Sequence, residues 1–130
     1  MRVLALDYGS ARCGCAISDP SGALARPLPV IEPPEPRSVA DLVSEHEVER
    51  VVVGLPVTMS GEEGEQAAAS RTFASELERV LEVPVVTYDE RLTTKMAEQS
   101  ARAGAAAAED SLAAAHLLES YLASREGSEE

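Results

Sequence analysis

Three consecutive β-branched residues near the middle of the chain, Val51 to Val53, constrain its fold more than any other feature. A strand with apolar side chains on both faces is typical of a sheet that helices cover on both sides. Other apolar runs of strand length lie at residues 2–7, 12–18, 23–31 and 83–88. The sequence therefore predicts an α/β fold built on five strands.

The order of the predicted elements indicates how these strands pair. The first three strands are separated by short turns, which favours an antiparallel meander. The predicted helices cover about 38–46, 61–81, 93–104 and 110–122. Ser60 and Glu63, at the start of the second helix, have the spacing of a capping box. We expect a mixed five-stranded sheet, antiparallel in strands 1–3 and parallel in strands 4 and 5, with helices on both faces.

The length of 130 residues and the hydrophobic share of 45% fit a single domain. We place this domain at residues 1–123 and expect residues 124–130 to form an acidic, disordered tail. The apolar runs are too short to span a membrane and no signal peptide is recognised, so we expect a cytoplasmic protein. The only cysteines, Cys13 and Cys15, are expected to be buried, unpaired thiols on one face of strand 2.

The formal net charge of −12 argues against a general nucleic-acid coat protein, which would carry a basic surface. Most of the acidic residues fall on the predicted helices and tail, where they would form a solvated surface. The first 30 residues are different, because three arginines there outnumber two aspartates. The charge pattern therefore leaves room for an enzyme that meets nucleic acid through a bound metal and a few arginines.

Acidic residues stand at the ends of two predicted strands and at the start of the last helix. Asp7 ends strand 1, Asp89 and Glu90 follow strand 5, and Asp110 opens the final helix. Taken singly, each acid could also stabilise a turn or cap a helix. Ligands of open α/β sheets bind at the carboxyl ends of strands, and convergent carboxylates favour Mg²⁺ or Mn²⁺. Two such ions can clamp the attacking and leaving oxygens of a phosphodiester.

Four motifs along nearly the whole chain together resemble the YqgF/RuvX family of pre-16S rRNA nucleases, which are also called Holliday-junction resolvase-like proteins. These motifs are DYGSARCGCAISD at 7–19, VGLPVTMSG at 53–61, DERLTT at 89–94 and DSLAAAHLLESYL at 110–122. The resemblance implies a ribonuclease H-like fold, with which the predicted order of elements agrees. It departs in one place, because members usually carry a longer, Lys-rich segment where this chain has AAAAE at 105–109.

The resemblance also implies an activity and a set of site residues. The activity would be Mg²⁺- or Mn²⁺-dependent hydrolysis of phosphodiester bonds during 5′-end maturation of pre-16S rRNA, with branched DNA as a second candidate substrate and ribosomal precursor particles as candidate partners. The catalytic, metal-binding acids would be Asp7, Glu90 and Asp110, with Asp89 as the alternative to Glu90. The substrate contacts would come from Arg12, Arg91, Thr93 and backbone N–H groups of the loop at 54–61.

Two other functions remain open from the sequence. An Asp-x-Gly motif near the N-terminus also starts the phosphate loop of actin-like and sugar-kinase-like ATPases, but that fold needs two such domains. A non-catalytic module that binds RNA or the ribosome is the other alternative, with the acids holding one structural cation. Metal-dependent cleavage of RNA and branched DNA distinguishes both alternatives from a nuclease.

Overall fold

The computed structural model describes residues 1–57, 60–90 and 109–128, with the side chains of 109, 110 and 125–128 left aside. In this part of the chain the elements follow the predicted order. They are β1 (Val3–Tyr8), β2 (Cys13–Ser18), β3 (Ala25–Ile31), α1 (Pro36–His46), β4 (Arg50–Leu55), α2 (Glu65–Val80), β5 (Val85–Asp89) and α3 (Glu109–Ser128). The helix predicted at 93–104 lies outside the described residues. No described helix has the length and apolar character that crossing a bilayer requires.

The strands form one sheet in the order β3-β2-β1-β4-β5. β1 pairs antiparallel with β2, and β2 pairs antiparallel with β3, as expected for the meander. β4 runs parallel to both β1 and β5. The predicted mixed five-stranded sheet is therefore confirmed, and the carboxyl ends of β1, β4 and β5 lie at one edge.

The valine run of β4 shows why helices cover both faces of the sheet. Val51 and Val53 pack with Phe73 and Leu77 of α2 on one face, while Val52 packs with Leu117 of α3 on the other. All three valines are fully buried. Each apolar side chain that leaves water in this way contributes about 1.5–3 kcal/mol, so the two-sided burial stabilises the central strand strongly.

The alternation of side chains along each strand assigns the remaining positions to a face. On β1, Val3 and Ala5 lie in the core on the α3 side, while Leu4 and Leu6 lie in the core beneath α1 and α2. On β2, Cys13, Cys15 and Ile17 join the core beneath α1 and α2, and both cysteines are free and buried, as predicted. By the same alternation, Asp7 belongs to the α3 side of the sheet.

Three helix ends differ from the prediction. α1 begins at Pro36, two residues before the predicted start, because proline suits the first turn of a helix. The capping box is wrong: the N-cap of α2 is Gly64, and the Glu63 carboxylate pairs with Arg71 instead. α3 continues to Ser128, since no Gly or Pro interrupts the segment before residue 127. The domain boundary at residue 123 and the disordered tail at 124–130 stay predictions.

Candidate metal centre

Two of the predicted metal acids meet at the carboxyl edge of the sheet. Asp7 lies near the end of β1, and Glu90 directly follows β5. Because β4 separates these strands, their backbones are about 10 Å apart, which is twice the usual strand spacing. The side chains nevertheless share a hydrogen bond. Burial, the negative charge of Asp7 and this hydrogen bond all raise the pKa of Glu90. The Glu90 side chain therefore reaches across β4 to Asp7.

Gly54 of β4 provides the space for this crossing. A Cβ atom built at residue 54 would meet the Glu90 carboxylate, with Cγ at 3.0 Å and Cδ at 3.1 Å. Gly54 follows Val52 by two residues, so its missing side chain belongs to the α3 face, where Asp7 also points. Glycine at this position therefore lets a carboxylate lie directly over the backbone of the central strand. Gly54 lies within β4, which ends at Leu55.

The carboxyl group of Glu90 is only partly ionised at neutral pH. Burial raises the pKa of Glu90 to about 8, with further increases from the charge and hydrogen bond of Asp7 and the charge of Asp89. A proton therefore holds the two carboxyl groups together in the absence of a cation. Two close oxygen donors of this kind suit Mg²⁺ or Mn²⁺, which would replace that proton.

Asp89 takes a different direction from Glu90. It is the last residue of β5, and its negative charge acts on Glu63, which precedes α2. The pKa of Glu63 is lowered chiefly by its hydrogen bond to Arg71, and the charge of Asp89 opposes that change. The hydrogen-bonded partner of Asp7 is thus Glu90, and the alternative acid lies towards the α2 side.

The backbone of Asp110 approaches the same edge of the sheet. Ser111, the next residue, is fully buried, and its Oγ accepts a hydrogen bond from the Cys15 backbone N–H at 3.2 Å. This amide lies where the β2–β3 register shifts, and Gly14 beside it pairs with Asp7. The first turn of α3 is therefore fixed next to the Asp7 strand end.

The meeting of all three acids remains a prediction, because the Asp110 side chain is not among those described. Within the described residues, no group of three or more His, Cys, Asp or Glu side chains is placed to hold a metal. The fit to a metal consequently rests on the carboxylate pair of Asp7 and Glu90. The predicted substrate residues Arg91 and Thr93 also lie outside the described residues.

The β1–β2 turn forms the rim of the centre. It lines a cavity of about 390 Å³ that is bounded by Asp7 to Arg12. The Gly9 N–H donates to the Arg12 carbonyl at 3.0 Å, and a Cβ at Gly9 would approach that oxygen to 2.9 Å. The turn therefore favours glycine, and it brings the predicted phosphate contact Arg12 to the same cavity as Asp7.

α2 braces this turn from the other side of the sheet. The Gln66 side chain donates from Nε2 to the Tyr8 carbonyl at 2.9 Å. The rings of Tyr8 and Phe73 are stacked, with 4.4 Å between their centroids. Sequence reasoning missed both Gln66 and the role of Gly54, since neither residue type signals a contact with another element.

Comparisons with known proteins agree with this architecture. The RuvX family model, described as Holliday junction resolvase, matches residues 1–124. A Chloroflexus aggregans protein that carries the name pre-16S rRNA nuclease is 47% identical, over 95% of this chain and 94% of its own length. A Listeria innocua protein with the same name is 42% identical, over 94% of this chain and 97% of its own length.

Solved structures of low sequence identity share the fold. T. thermophilus RuvC, in complex with Holliday junction substrate, is 19% identical with a TM-score of 0.65, covering 98% of this chain and 96% of the other. The fowlpox virus Holliday junction resolvase is 15% identical with a TM-score of 0.55, covering 95% and 99%. The ribonuclease H-like architecture predicted from the motifs is thereby confirmed.

Proposed function

Because the chain belongs to the RuvX family, we propose that it is a divalent-metal-dependent nuclease that acts in the 5′-end maturation of pre-16S rRNA. The relatives named for this activity match the chain over nearly its whole length. The single structural observation that carries the proposal is the contact of Asp7 with Glu90 across Gly54. Two carboxylates at a sheet edge give an oxygen site suited to phosphodiester chemistry.

Asp7, Glu90 and Asp110 would hold Mg²⁺ or Mn²⁺ in this proposal. When bound, the metal supplies an activated water and neutralises the charge that develops on the leaving oxygen. Glu90 would give up its shared proton when a metal binds, since its pKa of about 8 keeps much of the carboxyl group protonated at neutral pH. Arg12, on the rim of the cavity, would bind the phosphate through charge-assisted hydrogen bonds.

Pre-16S rRNA, alone or in a ribosomal precursor particle, is the proposed substrate, and branched DNA is the comparison substrate. The name of the family model and the junction-bound RuvC structure are the reasons for testing branched DNA. A substrate with a single-stranded 5′ extension would approach the open edge of the sheet, where the β1–β2 turn forms the accessible rim. Arg12 would then contact the strand near the carboxylates.

Cleavage assays with end-labelled RNA and a labelled four-way DNA junction test the proposal. We expect cleavage of RNA with Mg²⁺ or Mn²⁺, none with EDTA, and loss of cleavage in Asp7→Asn. Asp41→Asn is the matched control, because Asp41 is an exposed aspartate on α1 far from the carboxylate pair in sequence. Full Mn²⁺-dependent activity in Asp7→Asn would overturn the site, and cleavage of the junction alone would overturn the rRNA assignment.

A further inference from the structure

The first turns of α2 are fixed to the strand end that carries Asp7. Gln66 bonds the carbonyl of Tyr8, which is the neighbour of Asp7, and Phe73 stacks on the Tyr8 ring. These two contacts lie seven residues apart, about 10 Å along the helix axis. A side chain between them is therefore held at a defined place relative to the proposed metal centre.

Arg71 lies in this interval and its guanidinium is oriented by Glu63. Nε of Arg71 donates to Oε1 of Glu63, and Nη2 donates to Oε2, both at 2.7 Å. This forked geometry fixes the plane of the guanidinium, while 53% of the Arg71 side chain stays exposed. The negative charge of Asp89, at the end of β5, also acts on Glu63. The ion pair thus lies on the α2 side of the same sheet edge.

The pair leaves much of the guanidinium available to a ligand. An arginine carries five N–H donors, and Glu63 accepts from two of them. The other three donors of Arg71 have no partner among the described residues. An exposed ion pair contributes at most about 1 kcal/mol to stability, so folding alone gives weak reason for ordering two long side chains here.

We propose that Arg71, oriented by Glu63, binds a backbone phosphate of the nucleic-acid strand that is cleaved at Asp7 and Glu90. The inference rests on the proposed function and extends it with a second anchor point for the substrate. Arg12 contacts the strand from the β1–β2 turn, and Arg71 contacts it from α2. Glu63 is a positioning residue, because its two hydrogen bonds fix the guanidinium plane while much of the Arg71 side chain stays exposed.

Binding of a short fluorescein-labelled single-stranded RNA, followed by anisotropy over a series of salt concentrations, tests the inference. Ca²⁺ replaces Mg²⁺ so that the RNA stays intact, which a gel verifies. We expect Arg71→Ala to weaken binding about tenfold and to lower the salt slope by about 0.7, as the loss of one phosphate contact on a single strand should. Arg79→Ala is the matched control, because Arg79 is exposed in the last turn of the same helix.

A second variant separates phosphate binding from a structural brace. Glu63→Gln removes the ion pair but keeps the arginine charge, so RNA binding should stay within about threefold of wild type. Thermal melts of each variant verify folding. Equal effects of Arg71→Ala and Arg79→Ala, or equal losses in Arg71→Ala and Glu63→Gln, would overturn the inference. Failure of the wild-type protein to bind RNA or junction DNA would instead overturn the proposed function itself.

Discussion

Glu90→Gln should make the metal-free protein more stable, and the gain should grow with pH. In the folded protein the pKa of Glu90 rises from 4.5 to about 8, chiefly because of burial. The folded state therefore holds this proton more tightly than the unfolded chain does. The resulting contribution to stability is fully present below pH 4.5 and is lost as the pH rises through 8. Glutamine resembles the protonated acid at every pH and avoids this loss.

The size of the effect follows from the pKa change. A rise of about 3.5 at 1.36 kcal/mol per pKa unit corresponds to roughly 5 kcal/mol for a fully shielded group. Glu90 is partly exposed, so solvent screens its charge and about 2 kcal/mol is the expected difference at pH 9. At pH 4.5 the variant and wild type should unfold at nearly the same urea concentration.

Urea unfolding in EDTA at pH 4.5, 7 and 9, followed by circular dichroism, measures this difference. Glu78→Gln is the control, because Glu78 is exposed on α2. Mn²⁺ should raise the unfolding free energy of wild type by mass action and that of Glu90→Gln much less. A variant that is destabilised at pH 9, or a gain that is independent of pH, would refute the placement of Glu90 against Asp7.

Two further results are expected from residues around the pair. Gly54→Ala should displace the Glu90 carboxylate and weaken Mn²⁺ binding about tenfold in calorimetry. Gly64→Ala should leave Mn²⁺ binding unchanged, because a Cβ at residue 64 meets nothing within 4 Å. Equal Mn²⁺ affinity in both variants would contradict the crossing of Glu90 over β4. Cys13 and Cys15 should resist a thiol reagent until the protein unfolds, because both side chains are fully buried. The hydrogen bond with Cys15 and burial also raise the pKa of Cys13 above its usual range. Rapid labelling of the native protein would show instead that β2 is accessible.

The strands were predictable because their apolar runs are short, β-branched and bounded by turns. The location of the acids was predictable because Asp7 and Glu90 stand at or just after the ends of such runs, at the edge where open sheets bind ligands, and their role as metal ligands stays a prediction. The choice between Asp89 and Glu90 needed the end of β5, which periodicity alone leaves uncertain by a residue or more. Once β5 ends at Asp89, alternation directs the two acids to opposite sides.

Long-range contacts account for what sequence reasoning missed. Gly54 stands at the end of a valine run, and nothing in its neighbours indicates that a side chain from another strand needs the space. Glu63 fits a capping box in isolation, but Arg71 competes for its carboxylate with two hydrogen bonds. Glu63 and Arg71 are eight residues apart, with the start of α2 between them. Only the three-dimensional structure shows that Glu63 pairs with Arg71 rather than capping the helix.

The hydrogen bond between Cys15 and Ser111 gives the maturation of this protein an order in time. Ninety-six residues separate the two partners, and a ribosome makes α3 only after all five strands. Until that helix docks, a buried amide of β2 lacks its acceptor, and Asp110 is absent from the sheet edge. On the proposed function, a nascent chain therefore carries only part of its metal site.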